Sequence, residues 1–322
     1  MIIVFLLLLI IYLISTYIMF IFISKRFKKD RLMVMHKAIM KALEPYDKEI
    51  KCGYNWISDK INNNFTSDIF IRSDDNIKLH GLYIRSESNK KIIIFAHGYR
   101  STVQTDLFAS CKYYYEMGYN LLLIDQRGTG KSDGKYITFG VKESEDIICW
   151  CKYINKRYKK MSIILGGISM GATSVLMASK YSNIYNVKAV IADSPFVFPY
   201  DQVLYCIKHY FYINGKYFID MINVWCMIFA KFSLKEKNVI LSLKDNNIPI
   251  LLIHGEDDDF VPLINSKKIY DNYRGIKYFV TFPGASHGMS FLVDSKRYIN
   301  EIKSFLNGKK WTNICIFLFF VL

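Results

Sequence analysis

Ser169 stands in Gly167-Ile168-Ser169-Met170-Gly171, a G-x-S-x-G, with an apolar run at 162–165 before it and a helical run at 172–181 after it. That arrangement suits nucleophilic chemistry. The glycines allow a turn tight enough to hold a hydroxyl up at the end of a sheet, and the new helix aims its dipole and free N–H groups at an oxyanion. A small-residue turn with no chemistry has the same composition, and the strand-then-helix context is what separates the two. A serine hydroxyl needs a base before it attacks. Of the six histidines, His36 lies near the N-terminal apolar run, His80 within an early strand, and His209 in an aromatic-rich interval. His97 and His254 each end a strand and precede glycine, where a structural or oxyanion-loop role fits better. His287, in Gly284-Ala285-Ser286-His287-Gly288, follows the last strand and lies beyond the acid, so it is the expected base. An acid should orient its imidazole and stabilise the cation. The loop 254–262 offers Glu256, Asp257, Asp258 and Asp259, of which one can serve while three face water. A calcium or magnesium loop would want alternating ligands and a later Glu. Pro262 interrupts that pattern, and no metal or cofactor is expected.

These residues need a scaffold that brings strand ends together. Residues 67–72 and 77–85 alternate apolar with polar around Asp74-Asp75-Asn76 and predict an antiparallel pair. Short continuous apolar runs follow at 92–96, 120–124, 162–165, 187–192, 250–253 and 278–282, the pattern of strands buried on both faces. Amphipathic stretches at about 103–117, 143–158, 170–182, 263–273 and 294–306 separate them. The alternation predicts an α/β fold, a doubly wound and mostly parallel sheet, over 65–307. Residues 196–247 break the rhythm with many aromatics and no clear strand, and predict a helical cap over the strand ends. Residues 25–64 read as a juxtamembrane linker with one helix at about 30–43.

Residues 2–23 carry no charge and, as a helix, reach about 33 Å, enough to cross the hydrocarbon core. A secretory signal would want a basic flank before the run and a small-residue cleavage site after it. Here only Met1 precedes, and Ile23-Ser24-Lys25 follows. A transmembrane anchor over 1–24 is therefore expected. Lys25, Arg26, Lys28, Lys29 and Arg31 come next, opposed by Asp30 alone, which by the positive-inside rule puts the catalytic domain on the cytoplasmic side of a single pass. The apolar tail at 308–322 is too short to span and receives no function.

The 322 residues total 37.7 kDa, with 52% hydrophobic and 22% charged residues, which excludes general disorder. Lys and Arg number 43 against 28 Asp and Glu, a net charge of +15. The lysines are spread, with only the juxtamembrane cluster dense, so the charge fits a solvated surface near anionic lipid better than a nucleic-acid site. The seven cysteines form no disulfide framework or zinc spacing and read as free thiols of a reducing compartment.

With these motifs in place the chain resembles the α/β-hydrolase superfamily, in its monoacylglycerol-lipase-like and serine-aminopeptidase-like esterase branch. The order Ser169, Asp, His287 is the order of that fold. The branch's H-G-x-x-D-x-x-V-P falls on His254, Gly255, Asp258, Val261 and Pro262, so the resemblance selects Asp258 as the acid. Its H-G after the third strand falls on His97-Gly98, which implies the backbone N–H groups of Tyr99 and Met170 as the oxyanion hole. Its D-x-R-G-x-G-x-S-x-G matches Asp125, Arg127, Gly128, Gly130, Ser132 and Gly134, a structural loop in which Asp125 and Arg127 are expected to pair. The resemblance spans about 70–307. It implies a membrane-anchored serine esterase acting on an ester or lipid-like small molecule, the aromatic cap favouring an apolar acyl chain. Two alternatives stay open. A peptidase for short peptides would want an acidic cluster in the cap, which offers only scattered Asp201, Asp220, Glu236 and Asp245. A non-catalytic binding protein of the same fold would normally lack part of the triad.

Overall fold

The structure, a computed structural model, describes residues 1–26, 44–87, 90–213 and 215–308. Helix α1 (Ile2–Ser24) leads, and α2 (Asp47–Asn62) precedes the hairpin β1 (Thr66–Arg72) and β2 (Lys78–Ile84). Strands and helices then alternate: β3 (Lys91–Ala96), α3 (Val103–Glu116), β4 (Asn120–Asp125), α4 (Val141–Arg157), β5 (Ser162–Ile168), α5 (Met170–Ala178) and β6 (Val187–Asp193). Helices α6 (Pro199–Phe211), α7 (Lys216–Trp225) and α8 (Val239–Leu243) intervene, a π-turn at Cys226–Ala230 continuing α7. The chain closes with β7 (Ile250–Gly255), α9 (Ile264–Asn272), β8 (Lys277–Phe282), α10 (Ser290–Val293) and α11 (Ser295–Leu306).

The eight strands form one sheet in the order β1-β2-β4-β3-β5-β6-β7-β8. β2 runs antiparallel to both β1 and β4, and every pairing from β4 to β8 is parallel. The continuous apolar runs of the inner strands have the burial they predict, whereas β8, at the sheet's edge, is buried fully only at Val280 and Phe282. Along β3, Ile92, Ile94 and Ala96 face one core with Trp150, Ile154 and Val175, while Ile93 and Phe95 face the other with Leu107, Tyr298 and Phe305. Helices on both faces cover the sheet, so its core strands have no wet side.

Two local expectations are corrected. Asp125 and Arg127 do not pair. β4 ends at Asp125, whose carboxylate meets His80 Nδ1 on the neighbouring strand at 2.7 Å, and the chain has turned by Arg127. The guanidinium grips Asp146 of α4 (2.6 and 2.7 Å) and Asp75 of the hairpin turn (2.8 and 3.1 Å). Within 25–64, a stretch read as mostly linker, α2 forms and buries Ile50, Gly53 and Ile57. That 3-and-4 spacing is the apolar stripe of an amphipathic helix, with the charged residues on its other face. The helix expected at 30–43 and the tail from 309 onward lie outside the described residues.

α1 is long and apolar enough to cross a membrane, with a mean hydropathy of 2.8. It is nevertheless not free of the body. Met19, Phe20 and Ile23 are buried in a core shared with Val203 and Ile207 of α6 and Ile219 and Ile222 of α7.

Candidate active site

Ser169 occupies the turn between β5 and α5 with φ 57° and ψ −120°, a strained backbone for a residue with a Cβ. The strain persists because neighbours hold it: the Ser169 N–H donates to the Asp193 carbonyl at 2.8 Å, and its own carbonyl accepts from Thr173 N–H at 3.0 Å. Gly171 is required here by close approach. A Cβ at this position would stand 2.1 Å from the Ala96 carbonyl oxygen, so α5 starts against the end of β3 only without a side chain. The loop after β3 passes on the other side of Ser169. A Cβ at Gly98 would be 3.3 Å from Ser169 Cβ. That loop carries Tyr99, and Asp106 of α3 braces it by accepting the Gly98 N–H at 2.7 Å and the Ser101 hydroxyl. Met170 is the first residue of α5, ahead of the first intrahelical bond, so its N–H is among those a helix start leaves for a ligand.

The loops after β7 and β8 are zipped together. Glu256 N–H donates to the Phe282 carbonyl and Asp257 N–H to the Ala285 carbonyl, each at 3.0 Å. A Cβ on Gly255 would meet the Ala285 oxygen at 2.2 Å, so this junction too depends on an absent side chain. The zipper delivers the Asp258 carboxylate to His287: Nδ1 lies 2.7 Å from Asp258 Oδ2, and Nε2 lies 2.8 Å from Ser169 Oγ. Of the four adjacent acids only Asp258 is buried, and Glu256, Asp257 and Asp259 are exposed. Burial opposes its charge. The hydrogen bonds from His254 and His287 and from the Val261 N–H (2.8 Å) outweigh that, and hold the carboxyl well below the usual carboxylate range.

His254, for which the sequence suggested a structural or oxyanion-loop role, takes a structural one. It is fully buried, with Nε2 3.2 Å from Asp258 Oδ2 and 2.8 Å from the Val261 carbonyl, and Nδ1 2.7 Å from Ser266 Oγ. It therefore clamps the acid loop. His97 is buried likewise, with Nδ1 2.8 Å from the Gly98 carbonyl and Nε2 accepting from the Gln126 N–H (3.1 Å) and 2.9 Å from Thr129 Oγ1. Among the described residues no group of three His, Cys, Asp or Glu side chains is placed to hold a metal ion, and six free cysteines are seen.

Two cavities flank Ser169. One, about 430 Å³, is apolar and runs under α6, past Val203, Cys206, Ile207, Tyr210 and Phe211, to Phe139 and Phe196. α6 is fixed above it by Gln202, whose amide donates to the Phe260 carbonyl at 2.6 Å, and by Tyr205, whose hydroxyl donates to the Asp259 carbonyl at 2.9 Å. The other cavity, about 330 Å³, is lined by Gln104, Thr105, Asp106, Asp193 and His287 among others. Buried Asp193 has its carboxyl pushed up by burial, against the pull of Ser194, Tyr298 and the nearby histidines. Phe22 and Ile23 also line the apolar cavity, which nothing in the sequence marked.

Comparison with known proteins gives these arrangements a context. A family model described as serine aminopeptidase, S33, matches residues 87–222. The uncharacterised Bacillus subtilis protein YqkD is 23% identical over 234 residues, 71% of this chain and 75% of its own length. The lysophosphatidylserine lipase ABHD12 of Danio rerio is 27% identical over 245 residues, 69% of this chain and 59% of the lipase. Human protein ABHD12B is 25% identical and is covered to 61%, so the chain spans less than two thirds of either vertebrate relative. Among solved structures, the Pyrococcus furiosus esterase Pf2001 superposes with a TM-score of 0.61 at 25% identity, covering 75% of this chain and 90% of the esterase.

Proposed function

The chain belongs to the α/β-hydrolase superfamily, and from that premise we propose that it is a membrane-anchored serine hydrolase cleaving carboxylic esters of apolar, lipid-like acyl groups. The observation that carries this reading is the line from Asp258 through His287 to Ser169, ending at an apolar cavity. Ser169 Oγ–H donates to His287 Nε2, and His287 Nδ1–H donates to Asp258. As Oγ attacks the acyl carbonyl, the imidazole takes its proton and Asp258 stabilises the cation. The Tyr99 and Met170 N–H groups receive the oxyanion, each such donor lowering the barrier by about 3 kcal/mol. His287 then protonates the departing alkoxide. Water, deprotonated by the same nitrogen, frees the acid from the acyl-enzyme.

In this reading residues 1–24 anchor the chain, 25–64 link it to the body, 65–307 form the hydrolase domain and 196–247 its cap. The juxtamembrane cations support a cytoplasmic side for that domain. The lipase named among the relatives supports an ester substrate. The peptidase reading wants an acidic cluster in the cap to hold an amine, and the cavity under α6 has no carboxylate in its lining, Asp106 and Asp193 lying in the second cavity away from the cap. Asp220 in the cap is taken by Lys235 at 2.6 Å.

A fluorophosphonate probe is expected to label the full-length wild type and not Ser169→Ala. Ser169→Ala should lose about 10⁴-fold or more in kcat on p-nitrophenyl butyrate, with aminoacyl anilides uncleaved by either protein. Equal labelling of both proteins would overturn the nucleophile, and anilide turnover exceeding ester turnover would reverse the substrate class.

A further inference from the structure

The apolar cavity beside Ser169 is built from two distant stretches of chain. One wall is α6, and the other is the last turn of α1, through Phe22 and Ile23. The two walls meet at the rings of Phe22 and Phe211, 5.8 Å apart and edge to face. These two rings line the cavity, yet Phe22 is 45% and Phe211 41% exposed, so they stand at its mouth. Ile23, at 9%, lies inside.

The position of that mouth relative to a bilayer follows from the contacts of α1. Its side chains engage the cap from Tyr12, whose hydroxyl donates to the Tyr217 carbonyl, through Thr16, which accepts from Trp225 Nε1–H, to Tyr17 and Phe20 against Phe229. From Tyr12 to Ser24 the helix rises about 18 Å, which leaves the exposed residues 2–11, about 15 Å, clear of the body. A hydrocarbon core is about 30 Å thick. A helix that enters it with only its first half free brings the cap alongside into contact with the near leaflet. The cap surface there is suited to that contact, since Tyr212, Tyr217, Met227, Ile228 and Phe229 are all exposed.

We propose that the last turn of α1 is part of the substrate site: Phe22 and Ile23 form the acyl-binding wall, and the acyl chain of a membrane lipid enters sideways from the leaflet between Phe22 and Phe211. The proposal rests on the ester-hydrolase reading of Ser169. It gives the N-terminal helix a second role, and names the substrate class as long-chain acyl esters resident in a bilayer rather than esters taken from water.

The same contacts tie α1 to the loop that carries Tyr99. The Tyr99 hydroxyl donates to the Ile23 carbonyl at 2.6 Å, and the Arg100 guanidinium donates to the Phe22 carbonyl. The terminal carbonyls of a helix need such donors, and here the site's own loop supplies them.

The test uses full-length protein in phosphatidylcholine vesicles, with p-nitrophenyl laurate and butyrate as long and short esters. Ile23→Trp, which fills the cavity, should lower the laurate-to-butyrate ratio of kcat/KM by about 10-fold or more, the scale set by a few methylenes in an apolar pocket. Phe22→Ala, at the rim and tolerant of truncation, should lower it by about 3-fold. Ile18→Trp, on the exposed side of α1, should leave it unchanged. Phe211→Asp should depress turnover of a long-chain ester dissolved in the vesicles by about 10-fold more than turnover of butyrate from water. Fluorophosphonate labelling of each variant reports that Ser169 is intact. Retained labelling with unchanged ratios in Ile23→Trp and Phe22→Ala overturns the wall. An equal loss on both substrates in Phe211→Asp overturns the sideways entry. A wild type that the probe does not label overturns the hydrolase reading and the wall with it.

Discussion

Asp258 and His287 stand on loops joined to each other through backbone and Ser169 on a turn tied to the end of β6, whereas Phe22, Ile207 and Phe211 stand on two helices that meet ring on ring. In the first region the Ser169 N–H is held by Asp193, the Asp258 loop is laced to the His287 loop at two points, and absent side chains at Gly171 and Gly255 permit the contact. In the second, dispersion and apolar burial do most of the holding, supplemented by Tyr99 and Arg100 at the end of α1. Directional bonds at a strand end fix atoms to the tolerance that proton transfer needs. Non-directional packing of partly exposed rings tolerates displacement, which a mouth for acyl chains requires. In the proposed reading the polar region serves the chemistry and the apolar one admits the acyl chain.

That contrast is most sharply tested at Asp258. Asp258→Asn leaves the loop lacing in place but loses the carboxylate that orients His287, and kcat on p-nitrophenyl butyrate should fall by about 10³- to 10⁴-fold with the laurate-to-butyrate ratio preserved. A comparable fall in the ratio would show that the two regions are not separable. The same variant has a pH signature. The folded carboxyl titrates below its unfolded value, so its contribution to stability is fully present above about pH 4 and is lost as pH falls through the lower folded value. The wild type's advantage over Asp258→Asn in urea midpoint should therefore shrink on acidification below about pH 4, and an advantage that grew there would reverse the assigned shift.

Gly171→Ala attacks the backbone of the polar region. Its Cβ would overlap the Ala96 carbonyl, and rigid strand and helix ends leave little room to relax. We expect a loss of about 3 kcal/mol, read as a lower thermal midpoint with reduced probe labelling. A midpoint within a degree of wild type would show that the approach of α5 to β3 is slack.

The smallest effect belongs to the seam. Tyr99→Phe removes the bond to the Ile23 carbonyl and should cost about 1 kcal/mol of stability and a few-fold in kcat/KM, since the loop expected to bind the oxyanion loses one tether. Unchanged kinetics with a lowered melting temperature would make that bond structural alone.

Much of the polar region was legible in sequence because it is encoded locally. The G-x-S-x-G between an apolar run and a helix specifies a turn, and His287 follows the last strand. The choice among four acids was not local. The resemblance pointed to Asp258, and its burial beneath His254 gives the physical distinction, since the other three carboxylates face water. Asp125 and Arg127 were paired in expectation because they are near in sequence, and the end of β4 at Asp125 sends them to different partners. The spacing of Ile50, Gly53 and Ile57 marks an amphipathic helix but not its partner, which only the close approach of Gly53 to the Phe108 carbonyl of α3 identifies.

The alternation of apolar runs with amphipathic stretches determined by itself that this chain winds a mostly parallel sheet, because a strand buried on both faces needs apolar residues at every position and its covering helices need them on one side. The spacing around Ser169 and His287 likewise determined which side chains reach the strand ends. Only the tertiary structure decided that the N-terminal helix walls the cavity. A helix apolar on every side carries no stripe to mark the face that docks. Its partner surface on α6 and α7 lies some 180 or more residues later in the chain, so the choice is made by fit between assembled surfaces rather than by any local pattern.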